Sequence, residues 1–294
     1  MKFNEQYTVE NYVIKFLKET LGHEYIKPQD FAALRQFESE FLIIPQLLKA
    51  VMKINNISEE EAQNVVREIK KIDNNEDFLE LMRNGVNLVD IKTRHKRDYK
   101  VVDFDNIENN LFVISNQFYF EGNSENIRPD ILVFLNGLPI ADIEAKSPTA
   151  GSSVSYENAI DQIKRYEKNA LKLFLPNCFN IATDGLKTVY GATYSPKQYF
   201  FEWKDADGEI AALLSKINAA RDINNRVGIN NYNIPIYATA RESFAVARDG
   251  GVDDGSSIIY DAPIEKNELG LEITLMALLE KTRLLDIIKN YIVF

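Results

Sequence analysis

Three side chains in one short stretch are of the right types to hold a hard cation and handle a water molecule. They are Asp130, Glu144 and Lys146, in RPDILVFLNGLPIADIEAKSP from Arg128 to Pro148. Two apolar runs joined at Asn136-Gly137 read as a β-hairpin, because both turn residues tolerate positive φ. Side chains two apart on a strand share a face, so Glu144 and Lys146 project together while Ile143 and Ala145 pack the other way. A carboxylate beside an ammonium, with a second carboxylate on the neighbouring strand, can bind a divalent cation through oxygen. The bland alternative is a buried Asp/Glu–Lys ion pair, but burying several charges in a sheet without a task is costly.

Register decides between these readings. If Asn136-Gly137 closed a clean two-residue loop with regular strands, Asp130 would face Ile143 and point away from Glu144. Sharing a face with Glu144 requires one extra residue. A bulged turn with Gly137 in the left-handed position is the expected source.

The elements that must hold this hairpin follow from periodicity. Thr8 is placed to cap a helix to about Leu21, with Val9, Tyr12, Val13, Phe16 and Leu17 at helical spacing. Glu10, in its first turn, suits the positive end of the helix dipole. Glu40–Ile54 and Ser58–Ile72 read as helices, the second opened by a Ser58-x-x-Glu61 capping box, and a short helix around Asp77–Asn84 ends near Gly85. Leu111–Phe120 alternates as a strand, and Ser147-Pro148 ends the Lys146 strand. After a turn at Gly151–Ser153, a helix from Tyr156 to Leu171 carries Gln162 and Tyr166 on one face. On their own these two read as a core tyrosine and a surface amide. Phe179–Ala182 and Lys187–Thr193 read as strands turning at Asp184-Gly185. Further on, Gly208–Ala219 suggests a helix, Asn224–Asn233 and Arg248–Ser257 suggest loops, and Glu272–Phe294 regains helical spacing. The order gives an α/β layout, a mixed central sheet flanked by helices, with a helical insert at about 38–85.

The run DIKTRHKRDYK from Asp90 to Lys100 is the most basic in the chain. It reads either as a solvated strand or as a phosphate-contacting edge beside the acids, through Lys92, Arg94, Lys96 and Arg97. His23 and His95 belong to no ligand motif, and Cys178 is the only cysteine. No zinc site is therefore expected, and an internal disulfide is excluded. The 294 residues carry a net charge of −10, which argues against a general nucleic-acid coat protein and for weak DNA affinity in isolation. With 45% hydrophobic residues, no membrane-length apolar run and no secretory layout at the start, a cytoplasmic protein with a sizeable core is expected.

Asp130 followed by Glu144-x-Lys146, with Pro129-Asp130 as its first half, resembles the PD-(D/E)xK nuclease signature. The surroundings are more specific. NNLFVISNQFYFEG, RPDILVFLNGLPIADIEAKSP and the QIKRY run at Gln162–Tyr166 resemble the amino-terminal nuclease region of the restriction (R) subunit of type I restriction-modification enzymes, densely from about Val86 to Gly191. The resemblance implies a restriction-endonuclease-like core and a Mg²⁺-dependent DNA endonuclease. Asp130 and Glu144 would be metal carboxylates, with the Ala145 carbonyl as a third ligand and Lys146 acting on the attacking water. It further implies that Gln162 and Tyr166 support the site and that Glu10 faces the metal. Residues 1–215 would form the nuclease domain, and 216–294 a loop-rich connector toward an ATP-driven translocase. No GxxxxGK[ST] phosphate loop occurs here, so ATP is expected only in a full-length subunit. Double-stranded DNA and the modification and specificity subunits are the implied partners. A repair-type or phage exonuclease with the same core, and an inactive DNA- or partner-binding scaffold, are the competing readings.

Overall fold

The computed structural model describes residues 9–90, 93–146, 154–226 and 270–292, the side chains of 218–226 excepted. The expected Thr8 cap, Lys92, the Ser147-Pro148 stop, the turn at 151–153 and the loop at 248–257 lie outside the described residues.

The centre is a six-stranded mixed sheet in the order β1-β4-β5-β6-β7-β8. Its strands are β1 (Glu24–Tyr25), β4 (Phe112–Asn116), β5 (Ile131–Leu135), β6 (Leu138–Ala145), β7 (Phe179–Thr183) and β8 (Thr188–Ala192). β1–β4 and β6–β7 are parallel and the other neighbours antiparallel. β5 and β6 are buried along their whole length, as central strands covered on both faces must be.

One face packs against α1 (Val9–Glu19), α3 (Ile44–Asn55), α4 (Glu59–Ile69) and α5 (Asn75–Asn84). The Ser58/Glu61 capping box that opens α4 is formed. Two further helices join the same cluster, α8 (Gly270–Leu279) and α9 (Lys281–Asn290). Their anchors are polar as well as apolar: Tyr12 bonds the buried Glu272, and Arg83 donates to the carbonyls of Ile288 and Ile292. The segment read from sequence as part of a connector thus contributes to the core. The other face is covered by α2 (Pro28–Ala32) and α6 (Tyr156–Asn169). A separate antiparallel pair, β2 (Val86–Val89) with β3 (Lys96–Tyr99), lies outside the sheet. The helix read at 208–219 is longer, α7 (Glu209–Arg226), and absorbs the start of the asparagine-rich stretch. No described helix is long and apolar enough to cross a membrane.

The β5–β6 hairpin resolves the register question. Asn136 and Gly137 do form a two-residue loop, with φ of 54° and 83°, and Leu135 and Phe134 pair with Leu138 and Pro139. The extra residue enters one step later, between Val133 and Phe134, after which Val133, Leu132 and Ile131 pair with Ala141, Asp142 and Ile143. Ile140 and Ala141 consequently both point into the first-face cluster, the mark of a bulge. The irregularity is present as expected, but in the strand beside Pro139 rather than in the turn. Proline brings no N–H to the ladder there, so slippage of the register costs little. Continued one step, the shifted register sets Asp130 opposite Glu144.

Candidate active site

The shift leaves Asp142, Glu144 and Lys146 on the face beneath α6, with Asp130 across from them. Asp130 and Glu144 interlock through the backbone. Asp130 N–H donates to Glu144 Oε1 at 3.2 Å, and Ala145 N–H donates to Asp130 Oδ2 at 2.9 Å. Lys146 Nζ lies 4.0 Å from Asp130 Oδ2 and 3.9 Å from Glu144 Oε2. Glu144 is fully buried, while Asp130 and Lys146 keep 8% and 6% exposure at the strand ends.

Burial, then the charges of Asp130 and Asp142, push the Glu144 carboxyl well above its ordinary range. Its Oε2 is buried without a hydrogen-bond partner among the described residues. Three acids facing one ammonium leave an excess of negative charge in a place water scarcely reaches. Such a cluster holds either a proton or a cation. The donors are hard oxygens from two carboxylates, the set magnesium accepts when water and phosphate complete its shell. The orphaned Glu144 Oε2 supplies an open ligand position, so the residues fit the ion. Among the described residues no trio of His, Cys, Asp or Glu is gathered at metal-binding spacing.

Glu10 comes to the same place from the start of α1. It is buried and accepts from Asn116 Nδ2 at 2.6 Å and Gln117 Nε2 at 3.1 Å. Gln117 Nε2 also donates to Asp130 Oδ1 at 3.1 Å. On α6, Gln162 Nε2 donates to Tyr166 Oη at 2.8 Å, and Tyr166 Oη donates to the Arg128 carbonyl at 3.3 Å, just ahead of Asp130. Burial and the negative charge of Glu144 and Asp142 raise the Tyr166 hydroxyl above its ordinary range, so it stays a donor.

The basic run is not brought to these acids. β3 leads into Lys100, whose backbone is tied to Asn55, and Val101, whose carbonyl accepts from Asn136 Nδ2 in the hairpin turn. At about 3.3 Å per residue, the turn lies roughly 20 Å along β6 from Glu144. Arg94 and Lys96 are exposed. Arg97 is engaged locally, donating to Asn55 O at 2.9 Å, stacked on Tyr99 and 3.8 Å from Asp90. A groove of about 820 Å³ along α3, lined by Ile44, Leu48 and Met52, contains none of the candidate residues.

Two features were missed from sequence. Asp142 is fully buried, neither carboxylate oxygen has a hydrogen-bond partner among the described residues, and burial, then the charges of Asp130 and Glu167, push its pKa well above the ordinary value. The alternation that paired Glu144 with Lys146 also selects Asp142, so the signal was present. The Asn116-Gln117 amide pair had none, because its role depends on the chain leaving β4 in a left-handed turn at Gln117.

Residues 2–199 match the family model described as type I restriction enzyme R protein N terminus. The chain belongs to that family. Members similar to it include a putative type I restriction enzyme MjaIXP endonuclease subunit of Methanocaldococcus jannaschii. It is 33% identical over 223 residues, covering 71% of this chain and 21% of the relative. The type I restriction enzyme HindI endonuclease subunit of Haemophilus influenzae is 30% identical over 204 residues, covering 64% and 19%. This R-protein N-terminal chain therefore spans about a fifth of the length of the curated relatives it matches.

Proposed function

We propose that this R-protein N-terminal region is a Mg²⁺-dependent DNA endonuclease of the PD-(D/E)xK type, with Asp130, Glu144 and Lys146 as its cutting centre. The observation that carries the reading is the buried Glu144 carboxylate: it is locked to Asp130 through Oε1 and faces Lys146, and its Oε2 accepts no hydrogen bond among the described residues. A purely structural ion pair would satisfy both carboxylate oxygens. When bound, magnesium would neutralise charge building on the phosphate and favour ionisation of water.

The side chains divide the remaining work. Asp130 and Glu144 hold the ion, with the Ala145 carbonyl a further oxygen at the same strand end and Glu10 adding negative charge from α1. Lys146, within 4 Å of both carboxylates, orients the attacking water and offsets negative charge on the transition state. Gln162 and Tyr166 present an amide and a hydroxyl to the DNA backbone, fixed against the strand that bears Asp130. Arg94, Lys96 and Arg97 would meet duplex DNA at a stretch remote from the cut. In the larger subunit this region would act with an ATP-driven translocase and with modification and specificity subunits, cutting non-self double-stranded DNA.

A calorimetric Mg²⁺ titration tests the site. Wild type binds, Asp130→Ala does not, and Lys146→Ala still does. Equal weak binding by all three would leave an inactive scaffold as the better description. In a reconstituted complex in cells, Lys146→Ala should abolish restriction of foreign DNA while the protein accumulates normally. Undiminished restriction would remove Lys146 from the mechanism.

A further inference from the structure

Glu10 and Asp130 belong to distant parts of the chain, and one side chain joins them. The Gln117 amide nitrogen is 3.1 Å from Glu10 Oε2 and 3.1 Å from Asp130 Oδ1. An amide NH₂ carries two hydrogens, so it donates to both carboxylates at once. That holds the two oxygens no more than about 6 Å apart. Asn116 fixes the other Glu10 oxygen at 2.6 Å and is itself held by Tyr25 Oη at 2.8 Å.

The backbone of Gln117 is committed to the same place. Its N–H donates to Asp130 O at 2.9 Å, and its φ of 49° lies where side chains other than glycine and asparagine seldom go. A turn with no further task would be served better by glycine. Residues kept in such conformations cluster at functional sites.

We propose that Gln117 is a positioning residue that presets Glu10 and Asp130 for the cation. The inference rests on the cation-dependent reading above. Two carboxylates brought together repel, and a neutral donor shared between them offsets that repulsion without competing as a charge. Each carboxylate oxygen keeps a further lone pair for the ion. Asp130 Oδ2 remains directed to the Ala145 N–H and toward Lys146.

Gln117→Gly separates this role from a structural one, because it removes the amide while leaving the backbone at ease at positive φ. Calorimetric Mg²⁺ titration should show Kd raised about ten- to hundredfold, the usual effect of losing a partner of a metal ligand. The thermal midpoint of the metal-free variant should change little, because relief of the positive φ offsets the two lost hydrogen bonds. Gln117→Asn, too short to span both acids, should weaken Mg²⁺ binding in the same way. Adding Glu10→Gln to Gln117→Gly should cost little more, since the two act as one unit. An unchanged Kd in Gln117→Gly, or a tighter one, overturns the proposal. If wild type binds Mg²⁺ through Asp130 and Gln117→Gly binds equally well, this inference alone fails. If wild type binds no Mg²⁺, the cation-dependent reading fails and this one with it.

Discussion

Replacing Glu144 with glutamine should stabilise the metal-free protein at neutral pH while destroying its response to magnesium. The unfolded chain loses the Glu144 proton near the ordinary value of 4.5, whereas burial beside Asp130 and Asp142 makes the folded chain keep it to higher pH. Above 4.5 the folded state therefore binds more protons, and wild-type stability falls as pH rises. Each pH unit of that difference costs about 1.4 kcal/mol, a ceiling of about 3 kcal/mol by pH 7. Glutamine has no proton to lose and can still accept from Asp130 N–H through its carbonyl. Its NH₂, placed where Glu144 Oε2 faces Lys146 and accepts no hydrogen bond among the described residues, gives back about 1 kcal/mol. The net expectation is a gain at pH 7, bounded by that ceiling, that shrinks as pH falls toward 4.5 and gives way to the amide's cost below it. Denaturant titrations of both proteins across this range, with and without Mg²⁺, measure it. Saturating Mg²⁺ at about a hundred times Kd should add about 2.7 kcal/mol to wild type and nothing to Glu144→Gln. A variant less stable than wild type at pH 7, or one that Mg²⁺ stabilises equally, would refute the reasoning.

Other expectations follow from single contacts. His23 is buried against Leu279 O, 2.8 Å from Nε2, and burial lowers its pKa to about 4. Between 6.5 and 4 the unfolded chain binds the extra proton, so His23 removes about 3 kcal/mol of stability as pH falls through that window. Subtracting the pH–stability curve of His23→Gln from that of wild type should reveal this slope. Gly137→Ala places a Cβ 2.6 Å from Ile43 O at a φ of 83°. Its thermal unfolding should report a loss of about 2–3 kcal/mol.

The hairpin turn was legible because Asn-Gly admits one kind of turn, and the structure adds why it is fixed. Asn136 donates to Val101 O and Asn110 Oδ1, and accepts from Leu111 N–H. The bulge could be required but not located. Leu138, Pro139, Ile140 and Ala141 are all apolar, so their pattern names no preferred face, and either register buries them equally well. Polar residues return only from Asp142 onward, where alternation becomes readable. The Gln162–Tyr166 pair was visible as a helical i,i+4 contact, and that contact is formed. Glu10 was flagged by resemblance, since a first-turn glutamate has an ordinary explanation in the helix dipole. Its contact with Asn116 is long-range, as is the anchoring of the basic run to Asn55. No local pattern encodes where such partners meet. Glu272 illustrates the same limit: its burial against Tyr12 spans almost the whole chain.

The stagger at Ile140 imposes a parity rule on the loop of chain between the two acids. Asp130 and Glu144 are fourteen positions apart, and one of the intervening residues is spent on changing frame. Two residues can be added or removed around the turn, one on each strand, without altering which atoms meet at the far end. A single insertion on β6 would rotate Glu144 and Lys146 into the hydrocarbon side and turn Ile143 toward the acids, and one on β5 would turn Asp130 away from them. Tolerance of length change in this hairpin should therefore run in even steps.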